Sequence, residues 1–112
     1  MSLVVFSREH KEVLDSLLLK FPGVVPGTMF GYPAYYVDRK LFACLYEDGV
    51  GIKIPKDIAD SLVGRDGITR FQPMGRKPMK EWIQINRIRS EDYRDDLEIL
   101  KISIEYVSSL VK

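Results

Sequence analysis

The sequence predicts an α+β fold in which a central antiparallel sheet is flanked by an N-terminal helix, a short middle helix and a long C-terminal helix. Apolar residues recur at helical spacing near both ends of the chain. Between about 29 and 54 they alternate with period two, and turn-forming residues punctuate that middle stretch. The 112 residues, 46% hydrophobic and 29% charged, suit one domain spanning 1–112.

Ser7 is placed to cap a first helix over 7–20, with Glu9 in its dipole-positive first turn. Val13, Leu14, Leu17, Leu18 and Phe21 form its apolar stripe, and Pro22-Gly23 ends it. Tyr35 and Val37 then alternate with Tyr36 and Asp38, and Leu41, Ala43 and Leu45 with Phe42, Cys44 and Tyr46. Turns at Asp38-Arg39-Lys40 and at Asp48-Gly49 predict three consecutive antiparallel strands. The second is read as a two-residue loop with positive φ at both positions. Pro55 opens a short helix with Ile58, Ala59, Leu62 and Val63 on its apolar face, and Gly64 closes it. Further strands are expected near 68–71 and 81–86, separated by a loop over 72–80 that holds Pro73, Gly75 and Pro78. Ser90 is read as the cap of the last helix. Tyr93, Leu97, Leu100, Ile104, Val107 and Val111 form its stripe, widened by Ile99, Ile102, Tyr106 and Leu110. That width suits packing across the sheet better than a dimeric coiled coil.

Much chemistry is excluded by composition. The single cysteine, Cys44, allows no intrachain disulfide and no cysteine-based zinc site, and its apolar strand marks it as a small buried hydrophobe. The single histidine, His10, has no second histidine with which to hold a metal, and is read as a surface or rim residue. Neither the serines nor the glycines of 64–67 and 75–77 fit a nucleophile elbow or a phosphate-cradling loop, and Asp95 and Asp96 read as solvated surface. No cofactor is expected. No stretch approaches the roughly 20 apolar residues of a membrane span, and residues 1–6 are too short for a signal sequence, so a cytoplasmic protein is expected.

The net charge of +1 conceals an uneven distribution. Between 65 and 89, Arg65, Arg70, Arg76, Lys77, Lys80, Arg87 and Arg89 stand against only Asp66 and Glu81. The final helix is acidic, with Glu91, Asp92, Asp95, Asp96, Glu98 and Glu105 against Arg94, Lys101 and Lys112. The plainer reading has the helix neutralise the basic segment. The sharper one leaves an anion-binding patch around Arg76, Lys77 and Lys80, with Phe71 or Trp82 near enough to stack on a base. Core packing is the expected fate of Trp82 itself.

The run 26–31, containing Met29, Phe30 and Gly31, is followed by Tyr35, Asp38, Lys40 and Phe42. Lys53 then ends a strand, and Gly75, Met79 and Trp82 follow in order. Over about 26–85 this ordered set resembles the N-terminal domain of TfoX-type competence regulators, within a wider group of small YjbR-like α+β proteins. The resemblance implies a sheet flanked by helices, no catalytic residues and no cofactor, and a binding or regulatory role. Nucleic acid or another protein is the implied partner, with a homodimer open. The full regulators carry a second, helical domain, and transcription or competence regulation is the process the resemblance suggests. The alternative expectation is a protein-interaction or self-association module without nucleic-acid binding. A pocket ringed by Tyr32, Tyr35, Tyr36 and a basic residue would instead point to an enzyme.

Overall fold

The computed structural model describes residues 4–110. Helix α1 (Arg8–Leu18) begins where Ser7 Oγ accepts a hydrogen bond from the His10 backbone N–H. A meander follows of β1 (Val24–Met29), β2 (Tyr32–Val37), β3 (Lys40–Tyr46) and β4 (Gly49–Lys53). After α2 (Lys56–Leu62) come β5 (Ile68–Arg70), β6 (Trp82–Asn86), a 3-10 stretch over Ser90–Asp96 and α3 (Leu97–Ser109). The six strands lie in the order β1-β2-β3-β4-β6-β5, antiparallel throughout.

The expected α+β architecture is the one observed, with one strand more in the meander than the sequence suggested. The unanticipated β1 contains Pro26 and Gly27, which weaken a strand signal. Proline is tolerated there because β1 is an edge strand. Two hairpins turn through residues with positive φ at both central positions, Phe30-Gly31 (50° and 86°) and Asp38-Arg39 (50° and 65°). The third turn falls one residue earlier than expected. Glu47 alone has positive φ (51°), and Gly49 already pairs with Tyr46 and Asn86 as the first residue of β4. Its role is close approach: a Cβ at Gly49 would stand 2.5 Å from the Ile85 carbonyl oxygen.

Period two sorts the side chains onto two faces. Tyr35, Val37, Val50, Ile52, Ile83 and Ile85 meet all three helices in the larger core, including Leu14, Leu18, Ala59, Leu100 and Val107. The last helix therefore packs across the sheet, as its wide stripe predicted; Val111 lies outside the described residues. Ala34, Cys44, Phe71 and Trp82 form a second cluster on the other face, with Met29, Tyr36, Leu41, Tyr46 and Met79 packed against it. Among the described residues, no α-helix residue belongs to that cluster. Strict alternation in β3 fails at a bulge, where Tyr35 pairs with Ala43 but Tyr36 pairs with Leu41. Phe42 is the extra residue, so Phe42 and Ala43 both join the helix-side core. The buried Ser103 hydroxyl of α3 donates to the Phe42 carbonyl at 3.3 Å.

Ser90 does not cap an α-helix. It is the first residue of the 3-10 stretch, whose N-cap is Arg89 with no side-chain cap hydrogen bond, and α3 starts only at Leu97. In a 3-10 turn residues i and i+3 eclipse, which aims Tyr93 and Asp96 together into the protein. Asp96 is thus buried rather than solvated, and is bound bidentately by Arg87 through Nε (2.8 Å) and Nη2 (2.7 Å).

On the helix-free face a Cβ at Gly51 would meet the Phe71 ring at 2.7–2.9 Å, and Phe71 is fully buried. Gly51→Ala is expected to cost about 1–3 kcal/mol by overpacking. In urea unfolding, a Phe71→Leu background should return part of that loss, whereas additive effects would show that the ring does not press on β4.

Candidate functional site

Sequence positions far apart converge on the helix-free face. Met29 and Phe30 from the first hairpin, Leu41 from β3, and Phe71, Pro73, Arg76, Met79 and Trp82 around loop 72–80 line a groove of about 90 Å³. The loop makes a 3-10 turn at Pro73–Gly75 and is tied back where the Met79 N–H donates to the Phe71 carbonyl. Phe71 and Trp82 stack at 5.5 Å between ring centroids, and both are buried. Trp82 therefore has the core role expected of it, and neither ring offers an open face to a base. Phe30 is different. It stands 68% exposed at the groove's lip with φ of +50°. A bulky side chain in the left-handed region costs about 1–3 kcal/mol, and exposure returns little of it.

The basic segment is divided by the β5–β6 hairpin. Arg76, Lys77 and Lys80 lie exposed on the loop at one end, and none makes an ion pair among the described residues. Arg65, Arg87 and Arg89 belong to the other end, where the Asn86 N–H bonds the Gly67 carbonyl. Arg65 and Arg89 are exposed there, while Arg87 is consumed by Asp96 and the Asp66 carbonyl. Arg70, the last residue of β5, pairs with Asp60 of α2. The acidic C-terminal segment thus neutralises Arg87 and leaves the loop cations alone.

Of the residues that carry the family resemblance, Met29, Phe30, Met79 and Trp82 line the groove. Gly31 and Gly75 hold positive φ of 86° and 74°. Tyr35 turns into the helix-side core and donates to Asp15, while Tyr32 and Tyr36 belong to the opposite face, so the three tyrosines ring no pocket. Asp38 accepts from Ser108, Lys40 donates to the Leu110 carbonyl, and Lys53 faces Glu81 at 3.9 Å. Phe42 is the bulge residue. Leu41 and Pro73, read from the sequence only as a strand residue and a loop residue, also line the groove.

A second, open cleft of about 780 Å³ lies at the far end of β6. His10, Asp48, Asp66, Asn86, Arg87 and Asp92 line it, together with the wholly exposed Ile88. His10 is not a rim residue: it is 5% exposed, edge-on to Tyr93 with its Nδ1 3.1 Å from the Tyr93 hydroxyl. Burial lowers its pKa, against the opposing pull of Asp48 and Glu9, so the imidazole is held neutral. Burial also pushes the Cys44 thiol up to about 12, which leaves no thiolate for nucleophilic chemistry. Among the described residues, no group of three or more His, Cys, Asp or Glu side chains could hold a metal ion, and no helix is long and apolar enough to cross a membrane.

Comparison with protein-family models, curated proteins and solved structures finds no match to this chain, so its likeness to TfoX-type domains rests on the residues quoted above.

Two outcomes follow. Phe30→Asn, which suits a left-handed turn position, should stabilise the protein by about 0.5–1 kcal/mol in urea unfolding; destabilisation would show that the ring contributes more packing than it costs in strain. For His10 the folded-state pKa lies below the unfolded value near 6.5, so its contribution is complete above that pH and is lost as pH falls through the lowered value. The urea midpoint should therefore drop between about pH 7 and 5, where most carboxylates stay ionised. The drop should be smaller in His10→Gln, and an equal drop in both proteins would assign it elsewhere.

Proposed function

We propose that this chain is a non-enzymatic binding module of the TfoX N-terminal type, which engages an anionic macromolecule through loop 72–80 and the groove beside it. The observation that carries this reading is the set of three exposed cations, Arg76, Lys77 and Lys80, without ion pairs among the described residues and beside a groove built from separate parts of the chain. Arg70 and Arg87 are neutralised within the fold, and the exposed Arg65 and Arg89 stand at the other end of the hairpin, so the loop holds the largest cluster of exposed cations in this segment. The groove is also where four of the residues shared with the resembling domains meet. Such a module regulates by occupying a partner and needs no chemistry of its own.

Self-association is a second reading, drawn from the exposed Val25 and Phe30 at the β1 end of the sheet. Pro26 interrupts the donors of that edge and works against sheet extension. A mass that stays monomeric in light scattering across a concentration series would remove this second reading.

The test of the main reading is fluorescence anisotropy with labelled single-stranded and duplex oligonucleotides and polyglutamate, at low and near-physiological salt. Binding should weaken with salt and fall sharply in the Arg76→Ala, Lys77→Ala, Lys80→Ala triple variant. For single-stranded DNA, losing three phosphate contacts should reduce the slope of log K against log salt by about 2. No binding to any polyanion at low salt would overturn the reading.

A further inference from the structure

Resting on that reading, we infer that the groove's occupant is an acidic segment of another protein that inserts one apolar side chain beneath Phe30 and Arg76. The groove's size and lining select the anchor. About 90 Å³ bounded by Met29, Leu41, Phe71, Met79 and Trp82 is room for a single side chain. Apart from Arg76 these walls present carbon, sulfur and ring surface, with nothing arranged to read the edge of a base. Two methionines suit a pocket that adapts to aliphatic anchors of different shape.

Charge selects the flanks. Arg76 lines the groove, and Lys77 and Lys80 are exposed on the same loop, all three without ion pairs among the described residues. Carboxylates on either side of the anchor complement them. A nucleic acid is served less well. The two aromatic rings in the groove are buried against each other and give no open stacking face.

Phe30 supplies an independent pointer. It combines an exposed aromatic ring with a backbone conformation that asparagine or glycine would hold at lower cost. Conformational strain of this kind is common at binding positions, and this ring sits at the groove's lip.

Labelled synthetic peptides of Asp and Glu residues around one central Leu, Met or Phe provide the probe. Controls are the same peptide with Ser at the centre, and a single-stranded oligonucleotide of equal charge. The best anchored peptide should bind at least about tenfold more tightly than the Ser peptide, the effect expected of burying one large apolar side chain. Phe30→Asn should reduce that preference severalfold. Arg76→Glu should weaken both peptides, which keeps the test independent of the hairpin. If anchored and Ser peptides bind alike, or the oligonucleotide binds as tightly as the best peptide, the inference is overturned while an anion-binding loop survives. If no probe binds, the functional reading falls with it.

Discussion

A six-stranded sheet has two faces, and among the described residues the helices pack on only one of them. Everything else in the structure answers to that constraint. All three helices pack on the face that carries Tyr35, Val50, Ile52, Ile83 and Ile85, where aliphatic residues are dense and the bulge at Phe42 adds a further aromatic ring. The opposite face must be closed by what the strands themselves carry and by whatever loop can reach it. Phe71 lies over Gly51, Trp82 lies against Phe71, and loop 72–80 brings Met79 and Pro73 to the same cluster. A loop closes a surface less completely than a helix does, because its backbone polar groups must stay near water. A groove remains at that margin.

The division of the basic segment has the same origin. Residues 65–89 are a single run in sequence, but an antiparallel hairpin sends its middle to one end and its two flanks to the other. The flanks meet the acidic C-terminal segment, where the Arg87–Asp96 pair joins the end of β6 to the start of α3. Breaking a buried pair of this kind typically costs about 3–5 kcal/mol, so this contact belongs to the fold's stability. The loop cations Arg76, Lys77 and Lys80 make no ion pair among the described residues and keep their charge for solvent or a partner.

Several local features turned on contacts that sequence does not display. Asp48-Gly49 has the composition of a tight turn, yet Gly49 is needed inside the sheet, where β6 comes too close for a side chain, and the turn moves to Glu47. His10 has the spacing of an exposed first-turn residue. It is buried because Tyr93, distant in sequence, is aimed at it by a 3-10 stretch. Strict alternation along 41–46 hid the bulge at Phe42, whose carbonyl accepts from the hydroxyl of Ser103. Each is a tertiary interaction outweighing a local preference worth a fraction of its energy.

The sequence alone determined the α+β class, the amphipathic terminal helices, most of the strands, the burial of Cys44 and the core role of Trp82, because these follow from hydrophobic periodicity and turn chemistry within short windows. It also identified Arg76, Lys77 and Lys80 as a cationic cluster, since they are neighbours along the chain. Which cations are neutralised was decided only by the tertiary structure, as was the meeting of Met29, Phe30, Leu41, Met79 and Trp82 at one groove. The physical reason is range: periodicity is set by neighbours a few residues apart, whereas a groove and its charge are set by which distant segments the sheet brings side by side.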